Sequence, residues 1–487
     1  MTQTHELHSM FFPKSVAIVG ASPNPVGWGG TTFLMRLRNL GFPGKLYPIN
    51  PKADEIQGLK AYPKVSAIPG SVDLVIVAIS APGVPQVLED CIEAGVKNVH
   101  IFASGFSETG EEEGRVLERQ IKEIINRGKL NVIGPNCMGL YVPASKLAAW
   151  GVKPAGSGSV AFLSQSGGHG EILTAYAQGL GVYFSKLISF GNAVGLQVAD
   201  YLEYLAQDPE TEIITMYLEG LKDGNKLTPM IKEINRHKPI IIYKGGLTET
   251  GSRAIVSHTG SMAGESRIWD AFFAQTGAVR ANSLEEMIDV VLAFQHLKPL
   301  KGRNTLVLGG GGGNSVAFAD ACGRQGLEIP PISDSTRNEL NKYIRLAGNS
   351  TRNPLDVWMV QWELELYKFV IEQAVADPAI DLAIVDRIVG DFDEFEEFDD
   401  DMQEERTKKY YEINNFLIEF ARNNPHHKPL VVTTNMYGNN AGAAGTAERI
   451  RREFVSAGVP AYGSLEDAAR ALDRFIKYHE FQADDRD

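Results

Sequence analysis

Short apolar runs ending in glycine- or proline-rich turns alternate with helix-length stretches along the whole chain. The first set of runs is 15–19, 45–49, 74–79, 99–102 and 132–133. A second set is 160–163, 213–217 and 239–243, with a helix near 284–296, and a third is 305–308, 382–385, 429–433 and 459–462. Strands this apolar, separated by helices, imply parallel sheets covered on both faces. The 487 residues leave room for about three such units. Breaker-rich stretches at 146–158 and 299–303 divide them. The expected fold is α/β: a Rossmann-like domain over 1–148, then two flavodoxin-like open parallel-sheet domains over 156–298 and 302–480. Ligands of such sheets sit beyond the carboxyl ends of the strands.

Composition removes several function classes. The apolar fraction is 44%, yet no apolar run reaches the roughly 20 residues of a membrane span. The N-terminus lacks the basic start and apolar centre of a signal peptide. Cys91, Cys137 and Cys322 are scattered, so neither a disulfide framework nor a Cys-x-x-Cys metal site is available. A cytoplasmic setting is expected. A net charge of −13 argues against a nucleic-acid partner. It does not argue against a small anion, because helix-start amides bind phosphate without any lysine. No Gly-x-x-x-x-Gly-Lys-Ser/Thr occurs, so the usual phosphate loop of an NTPase is absent.

Three strand-end motifs carry chemistry. Residues 252–264 read Ser-Arg-Ala-Ile-Val-Ser-His-Thr-Gly-Ser-Met-Ala-Gly, placing His258 among hydroxyls and small residues. Such a histidine can act as a nucleophile and carry a phosphoryl group; it can equally be a turn residue without chemistry, and its neighbours decide. Val160-Ala-Phe-Leu-Ser-Gln-Ser-Gly-Gly-His-Gly170 reads as strand, tight turn and helix start. The amides from Ser166 to Gly168, the serine hydroxyls and the helix dipole would stabilise a phosphate there. Ile213-Ile-Thr-Met-Tyr-Leu-Glu219-Gly220 ends a strand in a carboxylate. A carboxylate that accepts an imidazole Nδ1–H fixes the tautomer and leaves Nε2 as the nucleophile. The other nine histidines have no such setting, and no bound metal is expected on this chain.

The N-terminal unit opens with strand, glycine-rich turn and helix over 16–40, a geometry that offers free amides to a diphosphate. The spacing is not Gly-x-Gly-x-x-Gly. The second strand ends in Asn50-Pro51, where an NAD site carries an acid for the ribose hydroxyls. That weakens a nicotinamide-dependent oxidoreductase. Cys137 has no histidine nearby in sequence and reads as a small buried residue.

The 252–264 segment resembles the phosphohistidine loop of the NDP-forming (ADP-forming) acyl-CoA synthetases, relatives of succinyl-CoA synthetase. Gly20-Ala-Ser, Asn50-Pro51, Ala78-Ile-Ser-Ala-Pro82, Ala103-Ser-Gly-Phe-Ser-Glu108 and Ile133-Gly-Pro-Asn-Cys-Met-Gly139 resemble successive loops of that family's CoA-binding domain. Ser164-Gln-Ser-Gly, Lys244-Gly-Gly and Asn353-Pro-Leu-Asp356 resemble its later motifs. The resemblance implies a CoA groove of Gly20, Ser22, Asn24, Gly27, Asn50, Pro51, Ser80, Ala81, Pro82, Ser104, Gly105 and Asn136. It implies a phosphate site of Ser164, Ser166, Gly167, Gly168, Asn192 and Gly260, with His258 and Glu219 catalytic. The two later domains would be of succinyl-CoA synthetase type, the last serving subunit contacts.

No ATP-grasp module is found in the sequence. The resemblance therefore implies an α-type subunit of an acid–thiol ligase, paired with a separate ATP-grasp β subunit, typically as α2β2. That partner would hold ATP or ADP and Mg, while CoA, acyl-CoA, a carboxylic acid and phosphate would be handled as substrates. No nucleic acid or membrane partner is expected. The alternative is a non-catalytic CoA-binding regulatory or scaffold protein.

Some positions depart from the family pattern. His169 stands where a small residue is expected and either adds a donor or faces solvent. Ala193-Val-Gly lacks the expected acid after Phe190-Gly191-Asn192. Lys244 either adds charge near phosphate or is solvated. The stretch 357–362 is core or partner surface, and the acidic stretch 391–405 is an amphipathic helix packed on its domain or a docking helix.

Overall fold

The computed structural model describes residues 5–24, 29–221, 223–253, 266–357, 360, 362–390, 400–436, 438 and 440–485. Gly27, His258, Gly260 and most of the 391–405 acidic stretch lie outside the described residues. The chain divides into two compact units, one of residues 1–178 and 182–287, the other of 179–181 and 288–487.

The first unit holds two large sheets. Strands β1 (Ser15–Val19), β2 (Lys45–Ile49), β3 (Leu74–Val77), β4 (Asn98–Ile101) and β5 (Asn131–Ile133) form an all-parallel sheet in the order β2-β1-β3-β4-β5. Every residue of β1, β3 and β4 is buried, whereas β2 at the edge begins exposed at Lys45. That is why the central strands read as unbroken apolar runs. The chain leaves β1 toward opposite edges of the sheet, and this reversal opens a crevice at the carboxyl ends of β1 and β3.

The second sheet contains β6 (Gly139–Val142), β7 (Leu147–Ala148), β8 (Val160–Ser164), β9 (Phe184–Ser189), β10 (Ile213–Leu218), β11 (Ile240–Lys244) and β12 (Val279–Ala281). Their order is β12-β11-β10-β8-β9-β6-β7. The sequence groups residues up to 148 with the first sheet, but β6 pairs antiparallel with β9, Tyr141 opposite Leu187. Residues 139–148 therefore extend the second sheet, which is parallel only from β9 to β12. Strand β9 itself is missing from the sequence pattern. It carries Lys186, fully buried, whose ammonium pairs with Asp208 and Glu210 at 2.7 Å each. Its other polar members are also satisfied: Ser185 shares a 2.7 Å hydrogen bond with Thr211.

The second unit is built on β13 (Thr305–Gly309), β14 (Leu355–Asp356), β15 (Leu382–Asp386), β16 (Leu430–Thr433) and β17 (Ala461–Tyr462). All pairs are parallel, in the order β14-β13-β15-β16-β17. The glycine turn after β13 is braced by Asp356, which accepts the Gly311 N–H at 2.8 Å. Residues 357 and 360 are buried, as core residues would be. Among the described residues no helix is long and apolar enough to cross a membrane.

Candidate functional site

A cavity of about 550 Å³ in the first unit is lined by strand-end loops of both sheets. The first sheet supplies residues 78–80 after β3, 102–104 after β4 and 136–138 beyond β5. The second supplies 165–168 after β8, 191–192 after β9 and Glu219 after β10. Ser80, Ser104, Asn136, Ser166, Gly167, Gly168, Asn192 and Glu219 thus share one chamber, although they lie up to 139 positions apart in the chain. Close packing of the two sets of loops explains Gly191. Its φ is +51°, and a β-carbon there would overlap the carbonyls of Pro135 and Asn136.

The turn after β8 is closed by its own serines. Ser164 Oγ donates to the Ser166 carbonyl at 2.6 Å and accepts the Ser166 N–H at 3.1 Å. The Ser164 hydroxyl is thereby engaged within the turn, and its contribution is to the turn's shape rather than to direct phosphate contact. The helix Gly167–Gly179 starts at the cavity. The first amides of a helix have no intrahelical acceptor, so this end favours an anion. The His169 N–H donates to Ser166 Oγ at 3.4 Å.

Gln165 links this turn to the end of β10. Its Oε1 accepts the backbone N–H groups of Glu219 and, at 3.2 Å, of Gly220. Glu219 is 8% exposed and accepts from the Tyr217 hydroxyl at 3.3 Å. Burial first, and Glu219 second, push the Tyr217 hydroxyl well up, so it stays a donor. Of the two outcomes open to His169 from the sequence, an added donor or a solvent-facing ring, it does not take the second. It is half-buried, with its ring edge-on to Tyr217 at 4.2 Å and its buried Nδ1 without a partner among the described residues. Burial lowers its pKa against the opposing charges of Glu219 and Glu285.

On the first sheet, Gly20 has φ +94°, and a β-carbon there would overlap the Ala78 carbonyl, so the β1 and β3 loops touch. Asn50 Nδ2 donates to the Ala21 carbonyl at 2.8 Å, bracing the same turn. The Ser22 N–H donates to Thr31 Oγ1 at 2.8 Å, and the Asn24 N–H to Ser22 Oγ at 3.2 Å. Gly20, Ser22, Asn24, Asn50 and Pro51 shape the β1 and β2 ends but do not line the cavity. Ala81 and Pro82 form a short 3-10 turn leading into helix Val84–Glu93.

Asn192 has its amide occupied. Its Nδ2 donates to Glu108 Oε2 at 2.6 Å and Glu118 Oε2 at 3.1 Å. Glu108 also accepts the N–H groups of Gly105 and Phe106 at 2.6 and 3.1 Å. This carboxylate therefore holds the Ser104–Phe106 loop and Asn192 together, an arrangement the motif assignments miss. Cys137 is buried and its thiol is pushed far up by burial, as a packing residue rather than a nucleophile. His100 beneath it is fully buried, lowered to about 4, with Nε2 3.1 Å from the Cys137 carbonyl.

Comparison with known proteins bears on what this chamber is. Residues 14–143 match the family model of a CoA binding domain, and 157–294 that of a succinyl-CoA ligase like flavodoxin domain. The α subunit of acetate–CoA ligase [ADP-forming] II of Pyrococcus furiosus is 38% identical over 79% of this chain and 83% of its own length. The chain belongs to the ADP-forming acyl-CoA ligase family. The α subunit of the Pyrococcus furiosus isoform I is 33% identical, with 98% of each chain covered. A solved Ca. Korarchaeum cryptofilum acetyl-coenzyme A synthetase 1, in complex with phosphate and ADP, superposes with a TM-score of 0.81 at 30% identity, again over 98% of both chains. The chain is thus an α-type ligase subunit with a CoA-binding domain, and a non-catalytic scaffold is not favoured.

In this ligase Lys244, at the end of β11, is not solvated. It is 2% exposed, donates to the Gly245 carbonyl and lies 5.2 Å from the centre of the Trp269 ring. Burial lowers its amine to about 8 against the pull of Glu219. The folded value lies below the unfolded one of about 10.4, so the unfolded chain binds the extra proton between them. Stability should therefore rise with pH from about 8 to about 10, and this contribution should be lost below that window. Urea midpoints across the window measure the slope, and Lys244→Met should flatten it.

Proposed function

We propose that this ligase subunit interconverts acyl-CoA and phosphate with a carboxylic acid, CoA and a phosphohistidine at His258. In the first step a phosphate oxygen attacks the thioester carbonyl. The C–S bond breaks, CoA leaves as the thiol after taking a proton, and an acyl phosphate forms. Nε2 of His258 then attacks phosphorus, the P–O bond breaks, and the carboxylate departs. The phosphoryl group passes to ADP on an ATP-grasp β subunit that also holds Mg. The reverse sequence makes acyl-CoA from acid, CoA and ATP, in an α2β2 assembly in the cytoplasm.

The observation that carries this reading is one chamber bordered by a buried carboxylate, a helix start and the CoA-domain loops. Glu219 would accept Nδ1–H of His258 and favour its phosphorylated, charged form. The amides at Gly167 and Gly168, with the Ser166 hydroxyl, would neutralise the phosphoryl oxygens; Gly260 would approach them from the histidine loop. Asn192 would act by fixing the 191–192 turn, since its side chain is tied to Glu108 and Glu118 and its N–H to the Pro135 carbonyl. Ser80, Ser104 and Asn136 would line the pantetheine path, with Gly20, Ser22, Asn24, Gly27 and Asn50 at the nucleotide end. Such sites work by aimed dipoles and positioning more than by strong bases.

The test is incubation of the chain with acetyl-CoA and labelled phosphate. Acid-labile, base-stable label should appear on the peptide containing His258, with thiol release that depends on phosphate. Label on another peptide, or thiol release without phosphate, would overturn the proposal.

A further inference from the structure

A side-chain clasp joins the two sheets of the first unit, and the reaction above leaves it without a task. Glu108 follows the loop after β4, and each of its carboxylate oxygens serves a different sheet. Oε1 accepts the N–H groups of Gly105 and Phe106, at 2.6 and 3.1 Å, on its own loop. Oε2 accepts from Asn192 Nδ2 at 2.6 Å, on the loop after β9 and 84 positions away. Glu118, on the helix Glu112–Gly128, accepts from the same nitrogen at 3.1 Å and from the Ser107 hydroxyl at 2.5 Å. Asn136 Nδ2 donates to Asn192 Oδ1 at 3.4 Å, so the amide is held on both sides.

The fold does not need this clasp. Backbone already joins the sheets there: the N–H groups of Asn192, Val194 and Leu196 donate to the carbonyls of Pro135, Gly134 and Val132 at 3.1, 3.0 and 2.9 Å. The turn beyond Gly105 is anchored without it as well. The Phe106 ring is fully buried, and the Phe106 carbonyl accepts from Thr109 Oγ1 at 2.9 Å. What depends on Glu108 is the peptide between Ser104 and Gly105. Among the described residues its one hydrogen-bonded anchor is the Gly105 N–H on Glu108. Gly105 has φ +108°, a conformation that glycine permits but does not itself enforce. The peptide is planar, so holding its N–H also aims its carbonyl. A carboxylate makes the shorter, stronger kind of hydrogen bond for that purpose. Ser104 and Asn192 both border the chamber, so the clasp ties one of its walls to the other.

We infer that Glu108 is a positioning residue for the acyl-CoA half of the reaction. It sets the 104–105 peptide along the pantetheine path and uses Asn192 as its fixed point on the second sheet. Asn192, which the family resemblance places on the phosphate, thereby serves the thioester side instead. This rests on the proposed acyl transfer and adds a residue to it.

The experiment is a double-variant cycle on the full chain. Glu108→Gln is nearly isosteric and keeps one oxygen for the Gly105 and Phe106 amides, but it turns its NH2 against that of Asn192. In phosphate-dependent thiol release, its KM for acetyl-CoA should rise about tenfold while its KM for phosphate stays within about twofold. Asn192→Ala should raise the acetyl-CoA KM equally. The double variant should show about a tenfold rise rather than about a hundredfold, because both changes break the same link. Transfer of label from acetyl phosphate to the Glu108→Gln chain, which bypasses the thioester, should match the wild type. A rise in the phosphate KM, single effects that multiply in the double variant, or a loss of label from acetyl phosphate overturns the inference and leaves the acyl transfer intact. A merely structural role would lower the urea midpoint and depress both half-reactions together, which also overturns it. In parallel, calorimetry of acetyl-CoA binding reads the same cycle without chemistry, with affinity falling about tenfold in each single variant and no further in the double. If the wild type releases no thiol from acetyl-CoA with phosphate, the acyl transfer falls, and the calorimetric cycle alone decides the clasp.

Discussion

Alanine at position 258 should leave a chain that binds CoA but takes up no acid-labile phosphate, a loss of roughly 10⁴-fold or more in rate. The size of the effect follows from the absence of a substitute nucleophile among the described residues of the chamber. Cys137 borders it, yet burial keeps the thiol protonated, and its Sγ–H points to the Ile101 carbonyl at 3.7 Å. His100 is enclosed and bound to the Cys137 carbonyl. His169 is the one imidazole described that feels the charge of Glu219, and its Nδ1 has no partner among the described residues. The matched variant His169→Ala should therefore keep its label. Label retained in His258→Ala but lost in His169→Ala would reverse the assignment. CoA affinity, measured by equilibrium dialysis, should be unchanged in both, because neither ring lies on the 78–80, 102–104 or 136–138 loops.

The fold was legible wherever a strand is buried on both faces by its own apolar residues. Strands β1, β8, β10, β13 and β15 are of this kind, with every residue buried. Strand β9 escaped because Phe-Ser-Lys-Leu-Ile-Ser looks half polar. Its lysine is acceptable only through carboxylates 22 and 24 positions away, which no local pattern announces. The placement of 139–148 on the second sheet depends on the same strand, since β6 has β9 as its neighbour.

The site was legible as motifs and opaque as contacts. Strand ends, glycine turns and Glu219 stand out because parallel sheets gather their carboxyl ends. Which hydroxyl or amide remains free cannot be read the same way. Ser164 and Asn192 look like phosphate donors in sequence, yet one is closed into its turn and the other is held by Glu108 and Glu118. Glu118 gives no signal at all, being one acid on an amphipathic helix.

Glu219→Gln should slow phosphorylation of the subunit by about 10²- to 10³-fold while leaving the fold intact. The substitution is nearly isosteric, and the anchors around position 219 do not need a charge. Gln165 would still hold the backbone of residues 219 and 220, and Tyr217 could still donate to the new side-chain oxygen. What disappears is the negative charge that would stabilise an imidazolium as the P–N bond forms. In a site this buried that charge is poorly screened by water, so its loss is felt in full. An independent readout comes from Lys244, whose amine Glu219 pulls upward against burial. Without the carboxylate that amine should titrate below about 8, moving the stability slope of the variant to lower pH. A merely structural role for Glu219 would lower the urea midpoint at every pH and would spare the rate once the protein was folded. A rate loss with the midpoint intact at neutral pH, together with the displaced Lys244 titration, is the combination that only a carboxylate acting on the reacting ring produces.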